Sequence, residues 1–139
     1  MIRQDWILRV IEQLAAFIAK VAGFVEKGDY DRALDESARA WDELGVPRPV
    51  VDRVDAPTLA SLLRTPAYMR AAASLLALEA QAYAGKSDPV HAALCYRRAY
   101  ELYLEARAQD PQPEDDAAIF ELSRMVPPSE VHPRYRDGV

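Results

Sequence analysis

The sequence predicts an all-α protein, a compact bundle of about five to six helices with no β-sheet. Three observations carry this. Apolar residues recur at intervals of three and four, and no segment alternates polarity as a half-buried strand does. The 10 prolines outnumber the 5 glycines and fall mostly at segment edges, where helices start or stop. Half of the 139 residues are apolar, enough for one domain with a real core. The expected organisation is a single domain over residues 1–126 and an extended C-terminal tail over 127–139.

The first helix is expected from about Ile2 to Lys27. Its polar positions form a narrow stripe of Arg9, Glu12, Gln13, Lys20, Gly23 and Lys27, and nearly everything else from Trp6 to Val25 is apolar. An ordinary surface helix buries one stripe, whereas this one needs cover around most of its circumference. Gly28 supplies the left-handed stop. Asp29 is the expected N-cap of a second helix to about Leu44, with Arg32–Glu36, Asp35–Arg39 and Arg39–Glu43 pairs on the wet side. Ala33, Ala40, Trp41 and Leu44 form its dry side, and Gly45 and Pro47 end it.

The stretch "VPRPVVDRVDAP" (Val46–Pro57) reads as a connector. A short third helix follows to about Leu63, with Asp55 as its cap. Thr65–Pro66 then places a capping threonine before a proline at the first helical position. The fourth helix is alanine-rich and runs to about Ala84, with Gly85 as its stop. Asp88–Pro89 repeats the device and opens a fifth helix to about Ala108. The sixth, about Pro113 to Met125, carries Glu114, Asp115 and Asp116 in its first turn, where carboxylates suit the positive end of the helix dipole.

Several function classes are disfavoured. A net charge of −5 argues against nucleic acid, whose binding needs Lys and Arg to neutralise phosphates. The one basic doublet, Arg97–Arg98, has Glu101 a turn later and reads as a solvated helix face. No membrane contact is expected, since the most apolar run, Leu14–Val25, is broken by Lys20 and falls short of the ~20 residues of a span. "MIRQDWILRV" lacks the pattern of a secretory signal. Cys95 stands alone, without a partner for an internal disulfide, which fits a cytoplasmic setting.

Neither catalytic, cofactor-binding nor metal-binding residues are expected. Asp88, His91 and Cys95 share one helix face at spacings of three and four, but Asp88 is explained as a cap and a thiolate metal site needs further ligands. The other histidine, His132, lies in the tail. No glycine loop cradles phosphates and no serine sits on a nucleophile elbow.

The second and fifth helices echo one another. Ala33, Ser37 and Ala40 have the spacing of Ala92, Tyr96 and Ala99, and Phe24 and Tyr83 each lie nine residues before the first alanine. "AGFVEKGDYDRALDESARA" (Ala22–Ala40) carries a small residue close before an aromatic and then Gly-x-Tyr-x-x-Ala, "AQAYAGKSDPVHAALCYRRA" (Ala80–Ala99) carries Ala-x-x-Tyr, and both continue with Ala-x-x-x-x-x-x-Ala spacing. Here the chain resembles the tetratricopeptide repeat family over about half its length. It departs from the family in the 59 residues between Ala33 and Ala92, where consecutive repeats take about 34, and in Ser37, where a bulky residue is usual.

The resemblance implies two tetratricopeptide-like hairpins of the kind met in bacterial proteins, acting as a non-enzymatic protein-interaction or scaffold module. Family members bind peptides in a groove lined by the first helix of each hairpin. The matching positions here are Ile18, Ala22 and Val25, then Ala77, Gln81 and Ala84. None is cationic, so a clamp for a terminal carboxylate is not expected, and an apolar groove for a protein or peptide helix is. The wide apolar face of the first helix adds a homodimer, with Trp6, Val10, Leu14 and Phe17 as a seam and Ile18 and Val25 beside it. The alternative is a small-molecule binder or enzyme with its site between the fourth and fifth helices near His91.

Overall fold

The computed structural model describes residues 2–136, apart from the side chains of residues 2–5 and 7. Among the described residues there is no strand. The helices are α1 (Ile2–Glu26), α2 (Tyr30–Glu43), α3 (Arg48–Val51), α4 (Ala56–Leu63), α5 (Pro66–Gly85), α6 (Pro89–Gln109), α7 (Asp115–Ser123) and α8 (Pro133–Arg136), with a 3-10 turn at Pro128–Glu130. The all-α bundle is as the apolar periodicity requires. α1 and α2 form one hairpin, and α5 and α6 another. α5 lies at the centre, packed on α1, α2 and α6, while α4, α7 and α8 pack on α6. Leu14, Val21, Trp41, Leu59, Leu75, Leu76 and Leu102 are the large side chains of the core. Buried Ala72, Ala73, Ala80 and Ala82 let other helices approach α5 closely.

The caps set the boundaries. Asp55 accepts from Thr58 N–H, Thr65 from Tyr68 N–H and Asp88 from His91 N–H, at 3.0, 3.1 and 3.2 Å. A proline occupies the first or second position after each. Gly28 and Gly45 have positive φ, and beyond them Asp29 N–H donates to Phe24 O and Val46 N–H to Trp41 O, closing each helix in the Schellman manner. Between α4 and α5 the chain reverses at Arg64, φ 74°, where Thr65 N–H donates to Leu63 O in a γ-turn.

Four expectations are corrected. Asp29 stands before α2, but its side chain makes no capping hydrogen bond. The left-handed residue after α5 is Ser87, not Gly85, which is still helical. Glu36, expected on a wet face, is buried, and so is Asp115, expected as a first-turn carboxylate at the start of the sixth helix. The tail is not extended: its 3-10 turn and α8 fold back on the bundle, burying Val131 and Tyr135. There His132 N–H donates to Glu101, and Tyr135 Oη and Arg134 Nε both donate to Glu105 at 2.9 Å. Helices of four residues leave no periodicity to read.

Gly85 is explained by approach. A Cβ there would fall 2.2 Å from Tyr30 Cζ. Gly85→Ala is therefore expected to cost about 1–3 kcal/mol of stability in a urea titration. With Tyr30→Ala also present, the same change should become neutral or stabilising by up to about 1 kcal/mol, because alanine is the better helix former. A loss that persists without the Tyr30 ring would refute this account.

Candidate functional site

Two concave features stand out, and both are built on the α5–α6 hairpin. The first is a groove of about 510 Å³ between α1, α5, α6 and α7. Ile18 and Ala22 form one wall, Ala77 and Gln81 the floor, and Leu122 and Met125 the far side. Ser74 and Tyr103 hydroxyls, 3.1 Å apart, satisfy each other in this lining. Glu121 is its charged residue. Four positions that spacing placed on an inner face are thus together, whereas Val25 and Ala84 are outside the lining.

The proposed α1 seam is divided by the fold. Val10 and Leu14 are buried in the core of their own chain, so neither is available to a second copy. Phe17, Ile18 and Val25 are half-buried against that core. Trp6 is 59% exposed and its neighbour Leu8 55%. The physical reason is length: α1 has 25 residues against 20 for α5 and 14 for α2, and its first turns reach past the helices that cover the rest.

The second feature is a cleft of about 240 Å³ between α6 and the α3 connector. Arg48 and Asp52 come from the connector, Leu76 from α5, and His91, Leu94, Cys95, Arg97 and Arg98 from α6. Positions 91, 94, 95 and 98 share one helical face by spacing. Behind Arg48 lies a buried carboxylate, Glu79. It accepts from Ser37 Oγ at 2.6 Å, Trp41 Nε1 at 2.9 Å and Arg48 Nε at 2.8 Å. This explains Ser37: a bulky side chain there would displace a donor to Glu79. Burial works against the charge of Arg48, but Glu79 and Asp52 more than offset it and raise its affinity for the proton.

His91 is exposed. Its Nδ1 is 2.7 Å from Asp88 Oδ2, and its ring stacks on Tyr83 with centroids 5.0 Å apart. Burial pushes the Cys95 thiol up to about 12, with the Glu79 charge adding to the effect. A thiol so held stays protonated at neutral pH, the opposite of an activated nucleophile. Among the described residues no three His, Cys, Asp or Glu side chains are grouped to share a metal ion.

Comparison with family models, curated proteins and solved structures finds no significant match. No helix among the described residues is long and apolar enough to cross a membrane.

Pattern reasoning missed Glu79, Arg48 and the burial of Arg98, whose side chain is 12% exposed. One signal was present. Glu79 is the lone charge between Arg70 and Lys86, with Leu75, Leu76, Ala82 and Tyr83 three and four residues to either side. A charge inside an apolar face needs buried donors, and Trp41 on the dry side of the second helix needed an acceptor.

Proposed function

We propose that this chain is a non-enzymatic helical interaction module that self-associates, the α1 end of one copy lying in the groove of the next. The uncovered end of α1 carries this reading. Trp6 and Leu8 are about 200° apart around the helix, so exposure of both leaves neither flank covered. Large apolar side chains left in water forgo about 25 cal/mol per Å².

In a two-fold pairing, the uncovered α1 end of one copy lies along the groove wall formed by Ile18 and Ala22 of the other. Arg9, exposed on that end, is opposite in charge to Glu121, the charged group of the groove. Each copy then fills the other's groove, the closed arrangement most homodimers adopt. The tetratricopeptide-like resemblance supports the same surface, since α1 and α5 are the first helices of the two hairpins. A lone buried cysteine fits a cytoplasmic role.

Sedimentation at micromolar concentration is expected to show a dimer. Trp6→Asp, and separately Met125→Asp in the groove, should each give a monomer with unchanged helical circular dichroism, because both side chains are at least half exposed. A monomeric parent protein, or a dimer indifferent to Met125→Asp, would overturn the arrangement; in the latter case the groove is left to a different helix.

A further inference from the structure

We propose that the cleft of Arg48, Arg97 and Arg98 is a binding site for a small organic anion, a carboxylate or phosphate head carried on a short apolar body. The proposal does not depend on the dimer. Three guanidinium groups line a cleft that contains one carboxylate, Asp52, in a chain whose net charge is −5. Such a concentration of like charge is costly unless something offsets it.

The arginines differ in what already satisfies them. Arg48 is paired: Nε with Glu79 and Nη1 with Asp52, both at 2.8 Å, and Nη2 has only the Cys95 sulfur at 3.8 Å. Arg98 donates Nη1 to Val51 O and Val54 O at 3.1 and 2.7 Å. Those acceptors are neutral, and its charge is met by an ion pair with Glu101 without a hydrogen bond. The nearest carboxylate, Glu101, is 3.6 Å from its Nε, which is buried and makes no hydrogen bond. Arg97 Nε is likewise buried without a hydrogen-bond partner. An unsatisfied buried donor costs about 1–3 kcal/mol, more when charged, and two on adjacent residues beside one cleft require an explanation. An acceptor with two or more anionic oxygens supplies it, since the guanidinium fork matches carboxylate and phosphate geometry.

The same residues set the size and character of the ligand. Val51, Leu76 and Leu94 provide an apolar lining for a short hydrocarbon or aromatic body. A volume of about 240 Å³ is below the usual range for drug-sized ligands, roughly 300–1,000 Å³. The site is held before a ligand arrives: two connector carbonyls fix Arg98, and Glu79 fixes Arg48. Asp52, exposed and bonded to Arg48, is the one group in the lining that repels an anion.

The test is an NMR titration of the full chain with benzoate and phenyl phosphate, and with benzyl alcohol as the uncharged counterpart. Saturable shifts of the Arg97 and Arg98 Nε–H signals and of the 94–98 amides are expected with at least one anion and not with the alcohol. The tighter of the two anions identifies the head group. Arg97→Met, whose Nε has no partner to lose, should weaken binding about tenfold, the worth of one charge-assisted hydrogen bond. Asp52→Asn should strengthen it, a gain that misfolding would not mimic. The proposal is overturned if neither anion saturates, if the alcohol shifts the same signals, or if Arg97→Met binds as the parent does.

Discussion

Glu79→Ala is expected to remove about 3–5 kcal/mol of unfolding free energy, a large part of the roughly 5–15 kcal/mol such a domain possesses. Glu79 is 2% exposed, and three donors from α2 and the connector converge on it. Deleting the carboxylate strands the Trp41 indole N–H and the Ser37 hydroxyl in the core and leaves Arg48 with Asp52 alone. The penalty is thus mainly that of the groups left behind, not of the attraction lost. A second variant separates the two. In Glu79→Met with Arg48→Met, no buried charge is stranded, and much of the loss should be recovered. Urea unfolding followed by circular dichroism reads both. A cost under about 1 kcal/mol for Glu79→Ala would mean that water reaches Arg48 and that the cluster is not a structural centre.

Asp115→Ala should cost a similar amount, about 3–5 kcal/mol, and should also change how the protein responds to acid. Asp115 is completely buried and takes a forked pair of bonds from Arg70, Nε to Oδ1 at 2.8 Å and Nη2 to Oδ2 at 2.9 Å, with Gln112 N–H adding a third. The Arg70 bonds hold its carboxyl below the ordinary value, against burial. Glu36 is held low first by its bond to Lys20. Around Glu105 burial acts in the opposite sense, but donors from Arg134, Gln109 and Tyr135 outweigh it and the net shift is also downward. A carboxyl whose folded pKa is depressed contributes its full stability above the unfolded value and loses it as pH falls through the folded one. Stability is therefore expected to be flat from neutrality to about pH 5, then to fall steadily below about pH 4. Asp115→Asn should flatten that descent. A parent protein whose stability is unchanged at pH 3 would contradict the assignment.

The helices were legible because their ends are marked locally. Asp55, Thr65 and Asp88 each cap a helix within three residues, and no distant contact is needed to see it. The carboxylates were misread because the same local grammar treats every acid as wet. Glu36 pairs with Lys20 across a helix boundary, and Asp115 with an arginine 45 residues earlier. Only the packing of α7 and α2 decides that these acids are inside. The groove shows the same division. Ile18, Ala22, Ala77 and Gln81 follow from spacing on two helices, but Leu122 arrives from α7 and Met125 from just beyond it, and no periodicity states the position of α7. The α1 seam lost Val10 and Leu14 for a related reason. Heptad-like spacing identifies which side is apolar, and the lengths of neighbouring helices decide how far along it the chain's own cover extends.

The folded-back tail has a consequence for the order of events during synthesis. The donor that fills Glu101, the His132 amide, lies 31 positions later in the chain, and two of the three side chains that donate to Glu105, Arg134 and Tyr135, come after it. At about 5–20 residues per second, a ribosome makes them roughly one to five seconds after the end of α6. For that interval the nascent α6 has its partners in α5 but not its latch, and two carboxylates destined for the interior are still hydrated. The latch on α6 is thus made later than the helix it fastens.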